Sequence, residues 1–165
     1  MKFCAIGRTL LATAALGLAT AGPAAAANPS MLKTFRFDHP AFVHEHSFAK
    51  HHLVMQVSEA DPARWNLVLN NAQNVMDSLG AQEVQVVVVA YGPGLKMLLH
   101  DSKVAKRIAA LDAEGVEFDA CHNTMEAMAK ATGHMPVLTP EAVIVPGGIV
   151  RIMQLEAHGF AYIRP

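Results

Sequence analysis

Cys121 is the residue with the widest chemical reach in this sequence, and it stands where a strand pattern runs into a helix pattern. Val116-Glu117-Phe118-Asp119-Ala120-Cys121 alternates, with Val116, Phe118 and Ala120 on one face. His122-Asn123-Thr124-Met125-Glu126 reads as a helix start, with Asn123 as N-cap and Glu126 three residues later completing a capping box. A sulfur anion at that junction faces backbone N–H groups, those of Asn123 and Thr124 foremost, and the positive end of the helix dipole. Both stabilise negative charge. His122 is placed to exchange a proton with the thiol or to tune it. The competing reading is a buried, inert cysteine that packs as a small hydrophobe.

The residues around Cys121 narrow the thiol chemistry. No second cysteine lies near it, which excludes a dithiol couple of the thioredoxin kind. No arginine follows within the next six residues to hold an oxyanion, as a cysteine phosphatase or a rhodanese-like loop requires. A Cys–His hydrolase would need His122 or a distant histidine as base, and sequence neighbours at a strand end point apart. What remains is a lone nucleophilic thiol that carries a group or meets a partner's thiol. A persulfide suits the position, because helix N–H groups would stabilise its terminal sulfur anion. A redox-sensing thiol that forms sulfenic acid or an intersubunit disulfide is a further reading.

Histidine offers different chemistry. Five of the nine histidines lie between His39 and His52. His44 and His46 share one side of an extended segment, and His51 and His52 follow closely. Such a set could take a transition metal such as copper or zinc, with Met55 added for Cu(I). No compact His-Glu-x-x-His spacing is present, so a polar arm with solvated histidines is the plainer reading. Tyr91-Gly92-Pro93-Gly94 lacks both the dinucleotide glycine pattern and the Lys-Ser/Thr ending of a P-loop. It reads as a tight turn in which Tyr91, Gly92 and Gly94 form a wall facing Cys121. Gly147, in Pro146-Gly147-Gly148, belongs to the same expected edge, and Arg151 is expected to meet an anion or an acidic surface residue.

The elements that must position these residues alternate along the chain. His52 to Val57 is a short apolar strand, followed by a helix with Asp61 as N-cap and Pro62 at its first position. Trp65, Val68, Leu69, Ala72, Val75, Met76 and Leu79 keep a helical period until Gly80. Val84 to Ala90 is nearly unbroken valine, the mark of a strand covered on both faces. A helical turn follows at Leu95–Leu99, then a helix capped by Ser102, the Cys121 strand and its helix. A strand at Ala142–Val145, a helix entered through Gly147-Gly148 and a last strand at Phe160–Ile163 complete the order. Five strands separated by helices predict a single-domain three-layer α/β fold with a mostly parallel, doubly wound sheet of flavodoxin-like architecture. In such sheets ligands bind at the carboxyl ends of the strands, where Tyr91, Cys121 and Gly147 all fall.

Composition sets the compartment and excludes some partners. Lys2 and Arg8 precede an apolar run from Thr9 to Gly22 and a stretch of small residues at Ala24–Ala27. Residues 1–27 therefore read as a cleaved secretory signal that also removes Cys4, with a periplasmic or otherwise extracytoplasmic destination. Residues 28–50 form a His-rich arm and 51–165 the α/β domain. Without Lys2 and Arg8, 11 basic residues face 14 acidic ones, a net charge of −3. No basic run supports nucleic-acid binding, and no further apolar stretch supports membrane insertion after cleavage.

The chain resembles the DsrE/DsrF-like family of small sulfur-relay proteins, in particular its exported single-domain branch. The resemblance spans about Leu53 to Pro165. It is carried by the Asn-rich first helix (Leu69-Asn70-Asn71-Ala72-Gln73-Asn74), Ala90-Tyr91-Gly92-Pro93-Gly94, and Gly115-Val116-Glu117-Phe118 leading to Cys121-His122-Asn123-Thr124. Val145-Pro146-Gly147-Gly148-Ile149-Val150 and the tail from Gly159 to Pro165 complete it. It implies a three-layer α/β fold, a trimer or hexamer, and a cysteine, matched here by Cys121, that accepts sulfur as a persulfide and passes it to a partner protein or small thiol. It also implies that Asn74 lies near the pocket. The expectation is therefore an exported sulfur carrier or sulfurtransferase acting through Cys121. The alternative from another class is a binding module holding a metal or small anion through the His39–His52 arm.

Overall fold

The computed structural model describes Met1 and residues 27–165; the expected export signal and Cys4 lie outside the described residues. Five strands alternate with helices: β1 (His51–Val57), α1 (Pro62–Leu79), β2 (Val84–Ala90), a 3-10 helix (Gly92–Leu98), α2 (Ala105–Ala113), β3 (Glu117–Cys121), α3 (His122–Thr132), β4 (Ala142–Val145), α4 (Gly148–Ala157) and β5 (Ala161–Ile163). All neighbouring strands are parallel, in the order β4-β3-β2-β1-β5. The three-layer α/β architecture is the one the sequence predicts. Its strand order is not the flavodoxin order, however, because β1 has β5 as its outer neighbour in place of β2.

That order dictates which helix covers which face. The chain steps from β1 to β2, β3 and β4 in one direction, so right-handed crossovers put α1, α2 and α3 on one face. It then returns past β1 to reach β5, and the reversed step puts α4 on the other face. The apolar clusters agree. Trp65, Val68, Leu69, Ile108, Leu111 and Met125 pack with Met55, Val86, Val88 and Phe118. Ile152, Leu155 and Phe160 pack with Val54, Val87 and Val89. Every residue of β2 and β3 is buried, as strands sandwiched between two layers must be.

One helix is too little to cover the second face, and the arm supplies the rest. Met31 N–H donates to Ile144 O at 2.8 Å, Ile144 N–H donates to Pro29 O at 2.8 Å, and the Asn28 amide donates to Thr139 O at 2.7 Å. Met31 and Phe35 pack on Val143 and Val145, and Phe42 stacks on Phe160 with ring centroids 5.7 Å apart. Residues 28–50 are thus a packed strap across the sheet.

Helix starts depart from the sequence reading in two places. α1 begins as expected, with Asp61 Oδ1 accepting the Ala63 N–H at 2.9 Å. α3 starts at His122 with Cys121 itself as N-cap, so Asn123 and Glu126 lie inside the helix and form no capping box. The strand delivers the chain to the helix without a turn, which leaves no room for a separate cap residue. The helix expected from Ser102 starts at Ala105, because Ser102 Oγ accepts the Val104 N–H at 3.4 Å in a turn that precedes it.

Candidate functional site

The strand order creates one crevice at the carboxyl edge of the sheet. β3 and β4 are neighbours, yet β3 leads into α3 on one face and β4 into α4 on the other. Adjacent strands whose connections part in this way leave a gap between them, the place where open α/β sheets bind ligands. Cys121 is the last residue of β3 and Gly147 the N-cap of α4, so both stand at the mouth of this gap. A cavity of about 140 Å³ fills it, lined by Tyr91, Cys121, Asn123, Thr124, Gly147, Gly148, Ile149 and Val150. Cys121 is 5 % exposed at its floor.

Two helix N-termini meet at this cavity, and neither carries a side-chain cap: Cys121 makes no cap bond, and Gly147 has no side chain to make one. Helix starts of that kind present positive partial charge to whatever lies between them. Asn123 N–H is not free to do so, since it donates to Pro146 O at 3.4 Å and pins α3 to the start of the β4–α4 connection. Thr124 Oγ1 accepts the Gly92 N–H at 2.9 Å and ties α3 to the turn after β2.

The wall expected from Tyr91, Gly92 and Gly94 is in fact Tyr91 alone. Its ring lies against Gly148, where a Cβ atom would stand 2.9 Å from Tyr91 Cβ, and its hydroxyl donates to Gln56 Oε1 at 2.8 Å. Burial raises the Tyr91 pKa. Gly92 turns the chain with a positive φ of 53°, and Gly94 packs so closely on the Val57 carbonyl that no Cβ fits. Both glycines shape the turn without lining the cavity. His122 is half-buried and does not line it either. Asn74 is exposed near the end of α1. A helix returning from β1 to β2 runs back toward the amino edge of the sheet, so its last turns are far from Cys121.

The histidines of the arm do not converge. His44 Nε2 meets Asp112 Oδ1 at 2.8 Å, while His46 Nδ1 meets Ala81 O at 2.8 Å and its ring covers Gly115. His52 tilts against Phe160, and His51 is exposed. His46, His52 and His158 do border a cavity of about 330 Å³ under the arm, but both His158 ring nitrogens face carbonyls, Gln154 O and Asp38 O. Among the described residues no group of three or more His, Cys, Asp or Glu side chains is placed to hold a metal ion. The metal site expected from His44, His46, His51 and His52 is therefore not assembled, because docking the arm sends each ring to a different neighbour.

Beneath the cavity lies a cluster that the sequence reading missed. Glu117 and Asp119 alternate with Phe118 and so share the face of the sheet covered by α4. Both are fully buried, as is Arg151 from α4. Arg151 Nε donates to Asp119 Oδ2 at 2.8 Å, Nη2 to Glu117 Oε1 and Ala41 O at 2.9 Å each, and Nη1 to Gln154 Oε1 at 2.7 Å. Glu117 Oε2 also accepts the Val43 N–H, at 2.6 Å, and the His44 N–H, at 3.4 Å. Arg151 thus meets buried carboxylates, neither the bound anion nor the acidic surface residue expected of it. Burial first, and then the Asp119 charge, push Glu117 up to about 8 against the pull of Arg151. Burial likewise raises Asp119. The available signal was Arg151 itself: a doubly covered sheet leaves acidic residues of a central strand in need of a cation.

No family model matches the chain, and no curated protein matches it. Among solved structures, MTH1491 from Methanobacterium thermoautotrophicum superposes with a TM-score of 0.63 at 32 % sequence identity, over 70 % of this chain and all of MTH1491. The chain belongs to the family of MTH1491. That protein is described as one of unknown function, so membership of the MTH1491 family brings the fold and no activity.

Proposed function

We propose that this protein is an exported sulfur carrier of the DsrE/DsrF-like kind, which accepts sulfur as a persulfide on Cys121 and passes it to a partner protein or small thiol. The observation that carries the reading is the placement of the thiol at the β3/β4 switch point, on the floor of a small cavity between two uncapped helix starts. Loading needs no outside oxidant. The Cys121 sulfur attacks the outer sulfur of a persulfide R–S–SH; the Cys121–S bond forms, the R–S to S bond breaks, and the departing thiolate takes up a proton. Tyr91 and Thr124 confine the site, and His122, one residue from the thiol, is half-buried outside the cavity. The exposed Ile149, Val150 and Met153 of α4 give that partner, or further copies in a trimer or hexamer, an apolar surface beside the cavity.

Intact mass after incubation with a persulfide donor tests this reading. The protein should gain roughly 32 Da, reversibly on reduction, and Cys121→Ser should gain nothing while keeping its fold. A protein that takes up no sulfur, or a Cys121→Ser variant that takes up as much as the native chain, would overturn it.

A further inference from the structure

The buried cluster holds two carboxyl groups and one guanidinium, all fully buried, with Asp119 two residues along the strand from the thiol. Its hydrogen bonds indicate how many protons it carries. Both oxygens of Glu117 receive N–H donors, and Asp119 Oδ2 receives Arg151 Nε. Among the described residues no N–H or O–H group reaches Asp119 Oδ1, although it is buried. Glu117 and Asp119 point to the same face of β3, and a proton on either one leaves a single carboxylate for the guanidinium. One guanidinium balances one carboxylate, and a second buried negative charge would stand unpaired.

Residues i and i+2 of a strand point to the same face, so Asp119 and Cys121 lie side by side under α4. The groups that face Asp119 can be named from every element packed on it. They are Glu117 and Cys121 from β3 and Arg151 from α4, with Gln154 bonded to Arg151 and the Val43 and His44 N–H groups of the arm bonded to Glu117 one step further out; β2 and β4 present valines 87, 89, 143 and 145. Among these groups Cys121 is the titratable side chain without a hydrogen-bond or ion-pair partner.

We propose that Glu117, Asp119 and Arg151 form a positioning unit for Cys121 that holds one proton near neutral pH and keeps the layer beneath the thiol electrically neutral. Loss of that proton at alkaline pH places a negative charge beside the sulfur and opposes a thiolate or persulfide anion there. The reactivity of the sulfur toward an alkylating reagent then reports the charge of the unit beneath it. Arg151, in the first turns of α4, also fixes the helix start that forms the far wall of the cavity. The inference deepens the sulfur-carrier reading and rests on it for its biological meaning, but it can be read without any sulfur transfer.

The test is the rate of Cys121 alkylation by iodoacetamide from pH 6 to 10 in the native protein, Asp119→Asn and Glu117→Gln. Each substitution leaves one carboxylate for one guanidinium. The native profile should be shallower than a single ionisation, and each variant should follow a single-proton curve with a rate near pH 9 roughly 3- to 10-fold above native. If one variant fails to fold, the other carries the comparison, with the thermal transition recorded for each. Native and variant profiles that superimpose would overturn the proposal, as would a Cys121 that reacts only after unfolding. Coupled profiles without the persulfide mass gain would leave the positioning unit standing and remove the sulfur-carrier reading alone.

Discussion

At the scale of single residues, Arg151 and its two carboxylates bear on stability as much as on chemistry. Removing the cation strands two buried acids, so Arg151→Met should cost about 3–5 kcal/mol in urea unfolding at pH 7. The proton count adds a pH dependence whose sign is fixed. Glu117 is raised from 4.5 to about 8 in the folded chain, so between those values the folded state binds a proton that the unfolded state has released. Its contribution is fully present below about 4.5 and is lost as the pH rises toward about 8. The melting temperature of the native protein should therefore fall across this window relative to that of Glu117→Gln. Parallel curves for the two proteins would contradict the assignment. The position of Cys121 at a strand–helix junction was legible in the sequence because the alternation of Val116, Phe118 and Ala120 gives way there to a helical pattern. Glu117 and Asp119 were not, because an acidic residue alternating with apolar ones looks the same whether its face meets water or a buried arginine.

At the scale of elements, the connections after β2, β3 and β4 form the site together, and two glycines let them approach. Gly148 packs on Tyr91 and Gly94 on the Val57 backbone. Gly148→Ala should cost about 1–3 kcal/mol through overpacking, and it should slow Cys121 alkylation by narrowing the cavity. Gly94→Ala should cost at least as much, because a backbone carbonyl yields less readily than a tyrosine ring, yet leave the alkylation rate of the folded fraction near native. Urea titration and alkylation kinetics read the two effects separately. The strands and α1 could be read from the valine run and from the Asp61-Pro62 start. The start of α3 could not, since a capping-box pattern indicates only that a helix could begin there. The register of β3 decided that it begins two residues earlier.

At the scale of the whole molecule, alternation of strands and helices was enough to predict the layers and the parallel sheet. It could not order the strands, and the order is what puts β3 beside β4 with their connections parting. Nor could a polar, histidine-rich composition reveal that residues 28–50 cover an otherwise bare half of the sheet. Deleting them would expose Val143 and Val145 and take away the Ala41, Val43 and His44 groups that bond the buried cluster. A chain beginning at His51 should therefore bind a hydrophobic dye that the native protein excludes, and unfold at lower urea. Unchanged unfolding would mean that the arm contributes little to the second face.

The strap also sets an order of events. Asn28 bonds Thr139 across 111 positions, and the Gln154 amide reaches back across 118 to Arg36 O. Chains are made amino end first, so residues 28–50 leave the ribosome early and have nothing to dock on until β4 and α4 have followed. The long loop it closes is a cost met only at the end. Until synthesis is nearly finished, one face of the sheet stays uncovered and the Glu117–Asp119–Arg151 cluster stays incomplete. A segment made early is thus among the last to come to rest.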